Sequence, residues 1–129
     1  MDSLLYTGSA IIILWGVAHL AATRSVVKGF GDISPDNRRI IIMEWIAEGL
    51  TLIFIGALVL RVTPDADMRP VNCAAWWVVF GSSIMLIIMA VLTQLTGART
   101  KVIAIKICPW VKTLVAVLYF LFIIGTTGG

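Results

Sequence analysis

Ile40-Ile41-Ile42-Met43-Glu44-Trp45-Ile46-Ala47-Glu48-Gly49-Leu50-Thr51-Leu52-Ile53-Phe54-Ile55-Gly56-Ala57-Leu58-Val59-Leu60 is an unbroken apolar run whose only charges are Glu44 and Glu48. A helix needs roughly 20 apolar residues to cross the hydrocarbon of a bilayer, and this run supplies them. Three more runs, Leu4–Ala22, Ala74–Leu95 and Trp110–Thr127, have the same character. The fourth is the shortest in apolar content, because its fully apolar part ends near Ile124. It spans only if Lys112 snorkels to the headgroups and the terminal threonines are counted. No run alternates with the period of two that a membrane barrel requires. The expected fold class is all-α: a four-helix transmembrane bundle over residues 1–129 as one domain.

Composition agrees. Hydrophobic residues make up 60% of the chain, charged residues 13%, and the mean hydropathy is +1.01. A soluble domain carries about a quarter charged residues, and disorder needs low hydrophobicity, so both classes are excluded. Met1-Asp2-Ser3 lacks the basic region of a secretory signal, and the first run is long for a signal core. The first run is therefore read as a retained helix.

Orientation follows from lysine and arginine. Arg24, Lys28, Arg38 and Arg39 follow the first span or precede the second, while Arg99, Lys101 and Lys106 lie between the third and the fourth and Lys112 at the edge of the fourth. The connection after the second span holds only Arg61 and Arg69. The positive-inside rule then puts loops 23–39 and 96–109 in the cytoplasm and both termini outside, in a cell membrane of the bacterial inner type. Tyr6, Trp76 and Trp77 are expected to anchor the outer interface and Trp110 the inner one. The basic ends face anionic lipid, and the net charge of +3 carries no signal for nucleic acid. Cys73 and Cys108 fall on opposite faces in this topology, which argues against a disulfide.

Local signals mark the boundaries. Ser34-Pro35-Asp36 reads as a helix start, with a capping hydroxyl, a proline in the first turn and an acid at the positive end of the dipole. Thr63-Pro64-Asp65 reads as a short surface turn, and Pro109 as the start of the fourth span. Arg99–Cys108 is expected to lie in the inner interface.

Ionisable groups inside the spans are few: His19, Glu44, Glu48 and, at an edge, Lys112. Such groups are expensive in lipid and tend to face the bundle interior and pair there. With a rise of 1.5 Å per residue, Glu44 lies ~6 Å and Glu48 ~12 Å inside the cytoplasmic end, and His19 ~5 Å from it. Thr93 and Gln94 end the third span at the same level. All four helices therefore bring polar groups to one half of the membrane. Glu44 and Glu48 are four apart and share a helix face. Two such carboxylates resist ionising together unless a cation such as Lys112 compensates. The expected pocket comprises His19, Glu44, Glu48, Thr93, Gln94 and Lys112, with Trp45 lining the cavity or facing lipid. A purely structural cluster is the competing reading.

No cofactor and no metal are expected. His19, Glu44 and Glu48 offer three donors, but Glu-x3-Glu is not the Glu-x-x-His pattern of carboxylate bundles. A haem on His19 with Met85 or Met89 is weaker still, because methionines at helical spacing usually pack. Asp65 and Asp67 read as a solvated turn, and Ser82 and Ser83 lie too far from His19 in depth for a catalytic triad. Gly49 and Gly56 sit a heptad apart, suiting close helix packing, and Gly49 also leaves room beside Glu48 for a ligand.

The stretch Glu48-Gly49-Leu50-Thr51-Leu52-Ile53-Phe54-Ile55-Gly56 resembles the second helix of DoxX-like small four-helix membrane proteins, and Met85–Ala90 is similar to their third. The ending of the first span, Gly16-Val17-Ala18-His19-Leu20, departs from that pattern. The resemblance implies a compact bundle with a polar intramembrane pocket that includes Glu48, acting beside membrane partners.

The leading functional expectation is a small-molecule-binding or accessory protein. The alternatives are a proton-coupled transporter working as a homodimer, a membrane enzyme using His19 and Glu44 as acid and base, and a structural subunit of a larger complex. The lipid bilayer, a second copy or a membrane-protein partner are the expected associations.

Overall fold

A computed structural model describes residues 2–65 and 74–127. Cys73, Asp67 and Arg69, for which the sequence raised expectations, lie outside the described residues. Four α-helices follow one another: α1 (Asp2–Lys28), α2 (Pro35–Val62), α3 (Ala74–Leu95) and α4 (Ile103–Thr127). Single 3-10 turns cover Thr63–Asp65 and Gly97–Arg99. No strand occurs among the described residues. All four helices are long and apolar enough to cross a membrane, and together they form a four-helix bundle.

The start of α2 is built as its residues dictate. Ser34 Oγ accepts from the Asn37 N–H at 3.2 Å, Pro35 occupies the first turn, and Asp36 pairs with Arg39 at 3.2 Å. The cap matters more than the ion pair, which is solvent-exposed and worth little. Gly31, with φ of 70°, makes the turn that leads from α1 into it.

The fourth helix begins earlier than its apolar content suggested. Pro109 lies inside it, not at its start. The stretch from Ile103 to Cys108 therefore forms helical turns and is no strip along the interface. Burial explains the extension: Ile105 packs against Val26 and Trp45, and Cys108 is 1% exposed. Those contacts outweigh the single backbone bond, from residue 109 to the Ile105 carbonyl, that a proline removes.

Glycine sets the closest helix pair. A Cβ added at Gly16 would sit 2.7 Å from the Gly49 carbonyl oxygen, and one at Gly49 would sit 3.0 Å from His19 Cβ. Thus α1 and α2 touch backbone to backbone. The room beside Glu48 expected from Gly49 is filled by α1. At Gly8 it is a side chain of α4, the Tyr119 ring, that occupies the place of a Cβ. Gly81 has open space around it and plays no part in packing. Leu5, Ile12, Leu52, Val59, Val79, Leu86 and Val115 form the fully buried core.

Elsewhere the apolar side chains point outward. Leu14, Phe54, Leu92, Trp110 and Ile124 are each more than half exposed. A water-soluble protein does not carry so much contiguous exposed apolar surface, whereas a bilayer covers it. The helix ends that meet near Gly31 and Thr100 carry exposed Arg24, Lys28, Arg38, Arg39, Arg99, Lys101 and Lys106. Among the described residues, all lysines and arginines except Arg61 and Lys112 thus gather at one end. The seam between α2 and α3 is the loosest in the bundle.

Candidate functional site

The four helices deliver one polar cluster into the interior, at the level of His19. From α1 comes His19, 2% exposed. Its Nδ1 lies 3.1 Å from the Trp15 carbonyl oxygen. A carbonyl only accepts, so Nδ1 carries the proton and Nε2 presents its lone pair. Nε2 faces Cys108 Sγ of α4 at 3.5 Å. Trp45 of α2 lies parallel to the imidazole with ring centroids 4.4 Å apart, and Trp15 meets it edge-on at 5.6 Å. Trp45 Nε1 also donates to the His19 carbonyl at 2.6 Å, which locks the stack. The imidazole is thereby held in one tautomer and one orientation.

Cys108 is the hub. Trp15 Nε1 donates to its Sγ at 3.4 Å, and the thiol reaches Glu48 Oε1 at 3.5 Å. Glu48 is ion-paired with Lys112, whose side chain is fully buried while that of Glu48 is 25% exposed. Lys112 Nζ donates further to Thr93 Oγ1 at 2.8 Å, and that hydroxyl donates to the Met89 carbonyl at 2.8 Å. A continuous polar chain thus runs Thr93–Lys112–Glu48–Cys108–His19 through all four helices. Lys112 does not snorkel. One turn beyond Cys108 on the inward face of α4, its ammonium finds a carboxylate, and a buried charge demands such a partner.

The cluster brings together His19, Glu48, Thr93, Lys112 and Trp45 of the expected pocket. Glu44 and Gln94 stand apart. Glu44 is exposed and sits one turn nearer the end of α2, on the rim of a cavity. Gln94 follows Thr93 by one residue, about 100° round the helix, and faces a separate groove with Pro109, Trp110 and Thr113. Glu44 and Glu48 share one cavity, as their spacing suggests, and Lys112 supplies the compensating cation to Glu48. Cys108 and Trp15 belong to the cluster and were missed. Reading the stretch before Pro109 as interfacial hid the cysteine. Had α4 been carried back through Pro109, the spacing of Cys108 and Lys112 (i, i+4) would have put both on one face.

A cavity of about 490 Å³ opens between α2 and α3 against this cluster. Ile40, Ile41, Ala47, Met85, Met89 and Leu92 make its apolar walls; Glu48, Thr93 and Lys112 form its polar floor, with Glu44 at the rim. Donor atoms of His19, Glu48 and Cys108 all lie within 4.8 Å of one another, a different trio from the His19, Glu44 and Glu48 weighed from the sequence, where no metal was expected. No family model, no curated protein and no solved structure matches the chain, and the resemblance to DoxX-like proteins gains no support from these comparisons.

Proposed function

We propose that this chain is an integral membrane protein that binds a lipid-soluble small molecule through the cavity between α2 and α3. The observation that carries the reading is a buried ion pair at the floor of an apolar cavity that faces lipid. A volume of about 490 Å³ falls in the range of small-molecule sites, roughly 300–1,000 Å³. Such sites combine apolar walls with a few placed polar groups. The partly exposed Glu48 carboxylate accepts, while the Thr93 proton is already given to the Met89 carbonyl and Lys112 to its two partners, so the floor suits one hydrogen-bond-donating head on an apolar body. Because the mouth lies between two membrane helices, such a molecule reaches it from the bilayer without crossing water. The basic end supports the cytoplasmic orientation of that end and contact with anionic headgroups there.

Organic extraction of the purified protein, followed by mass spectrometry, tests this reading. The expected result is a hydrophobic molecule near one equivalent in the wild type. It is lost in Met89→Trp, which fills the cavity, and depleted in Glu48→Gln. If Met89→Trp carries the same molecules in the same amounts as wild type, the reading is wrong.

A further inference from the structure

The cavity uses one side of the Glu48–Lys112 pair. The other side faces Cys108 and His19, and these atoms support a separate inference, independent of what fills the cavity. We infer that Cys108 Sγ and His19 Nε2 form a binding site for a monovalent thiophilic cation of the copper(I) class, with the Glu48–Lys112 pair as adjoining counter-charge.

Geometry comes first. Bonds of ~2.3 Å to sulfur and ~2.0 Å to nitrogen are ordinary for thiolate and imidazole ligands. The 3.5 Å between Sγ and Nε2 then subtends roughly 110° at a shared ion. Both donors are already oriented. Trp15 O holds Nδ1 so that Nε2 is the free lone pair, and Trp15 Nε1 donates to Sγ. Backbone carbonyl support of this kind is the usual second layer of a histidine metal ligand. One tryptophan thus serves both donors.

Charge decides the ion. A thiolate at Cys108, a carboxylate at Glu48, an ammonium at Lys112 and a neutral imidazole sum to minus one. A monovalent ion makes the set neutral, and a divalent ion leaves it at plus one. In a site whose thiol and imidazole are buried, the neutral set is favoured. Thiolate also selects soft ions, copper(I) among them. Binding replaces the thiol proton: the S–H bond breaks, the S–Cu bond forms, and one proton leaves to the buffer with no change of oxidation state.

The test is an anaerobic titration of the detergent-purified protein with copper(I) against a chromophoric chelator, in a Cys73→Ser background, with zinc(II) in parallel. One copper(I) per chain is expected, accompanied by an ultraviolet thiolate-to-copper band. Cys108→Ser abolishes the band, and with His19→Ala it weakens affinity at least ~100-fold, because even losing a supporting partner costs about 10–100-fold. Trp15→Phe, which leaves both ligands in place, weakens it about tenfold and keeps the inference testable should a ligand variant fail to fold. Lys112→Met removes the fixed cation and moves preference toward zinc. A wild type that takes up no stoichiometric copper, keeps its affinity as Cys108→Ser, or prefers zinc to copper overturns the inference.

Discussion

Lys112 is the residue on which the interior depends. Its side chain is fully buried, and a buried ammonium without a carboxylate is costly. Replacing one member of such a pair leaves the other uncompensated, at a cost of about 3–5 kcal/mol, whereas replacing both with groups of similar shape is often close to neutral. Glu48→Gln is therefore expected to lower stability by ~3 kcal/mol, the lower end of that range, because Glu48 keeps partial exposure. Glu48→Gln with Lys112→Met should recover most of the loss. Unfolding of the purified protein in mixed micelles under rising denaturant measures both; a double variant no more stable than the single one would contradict the pairing argument. At this scale the sequence was partly legible. His19, Glu48 and Lys112 stood out because ionisable groups are rare in lipid-spanning runs. Cys108 did not, since a lone cysteine looks like any small apolar residue until its neighbours are known.

Helices separate by how they use their small residues. Gly16 and Gly49 let α1 and α2 meet along their backbones, a contact that suits membranes, where apolar burial alone gives helices little reason to associate. Gly49→Ala sets a methyl against His19 Cβ and the Gly16 carbonyl, at 3.0 and 3.1 Å. A loss of about 1–3 kcal/mol is expected, as for overpacked cores. Gly81→Ala meets nothing within 4 Å and gains helix propensity, so it should be neutral or stabilising by up to ~1 kcal/mol. Thermal unfolding of the two variants side by side measures the contrast, and equal losses would sink it. Both glycines looked alike in sequence, because helical position alone does not say which face meets a neighbour. The four helices themselves were legible, since length and apolarity are local properties. The start of α4 was not, because Ile105 and Cys108 gain their burial from α1 and α2, remote in the chain, and that gain overrode the local signal of Pro109. Gln94 failed for the same reason: one residue of helix rotation separates it from Thr93, and only the packing of α3 on α4 shows which of the two faces inward.

Taken whole, the molecule has a basic end, a polar middle layer and an apolar remainder. If that end lies in the cytoplasm, Asp32→Cys, in the exposed turn between α1 and α2, reacts in a Cys73→Ser background with a membrane-impermeant maleimide only after the cells are opened. Labelling of intact cells would reverse the orientation. The pairing of Glu48 with Lys112 also bears on how the chain enters its membrane. A lysine near the middle of an inserting helix costs about 2.5–3.5 kcal/mol, which uses up part of the favourable transfer of the apolar residues of α4. Pairing with the α2 carboxylate offsets that cost once both helices are in place. The last helix thus carries a charge whose partner was made 64 residues earlier, and a truncation that removes α2 is expected to lower the membrane-inserted fraction of α4, as read by carbonate extraction.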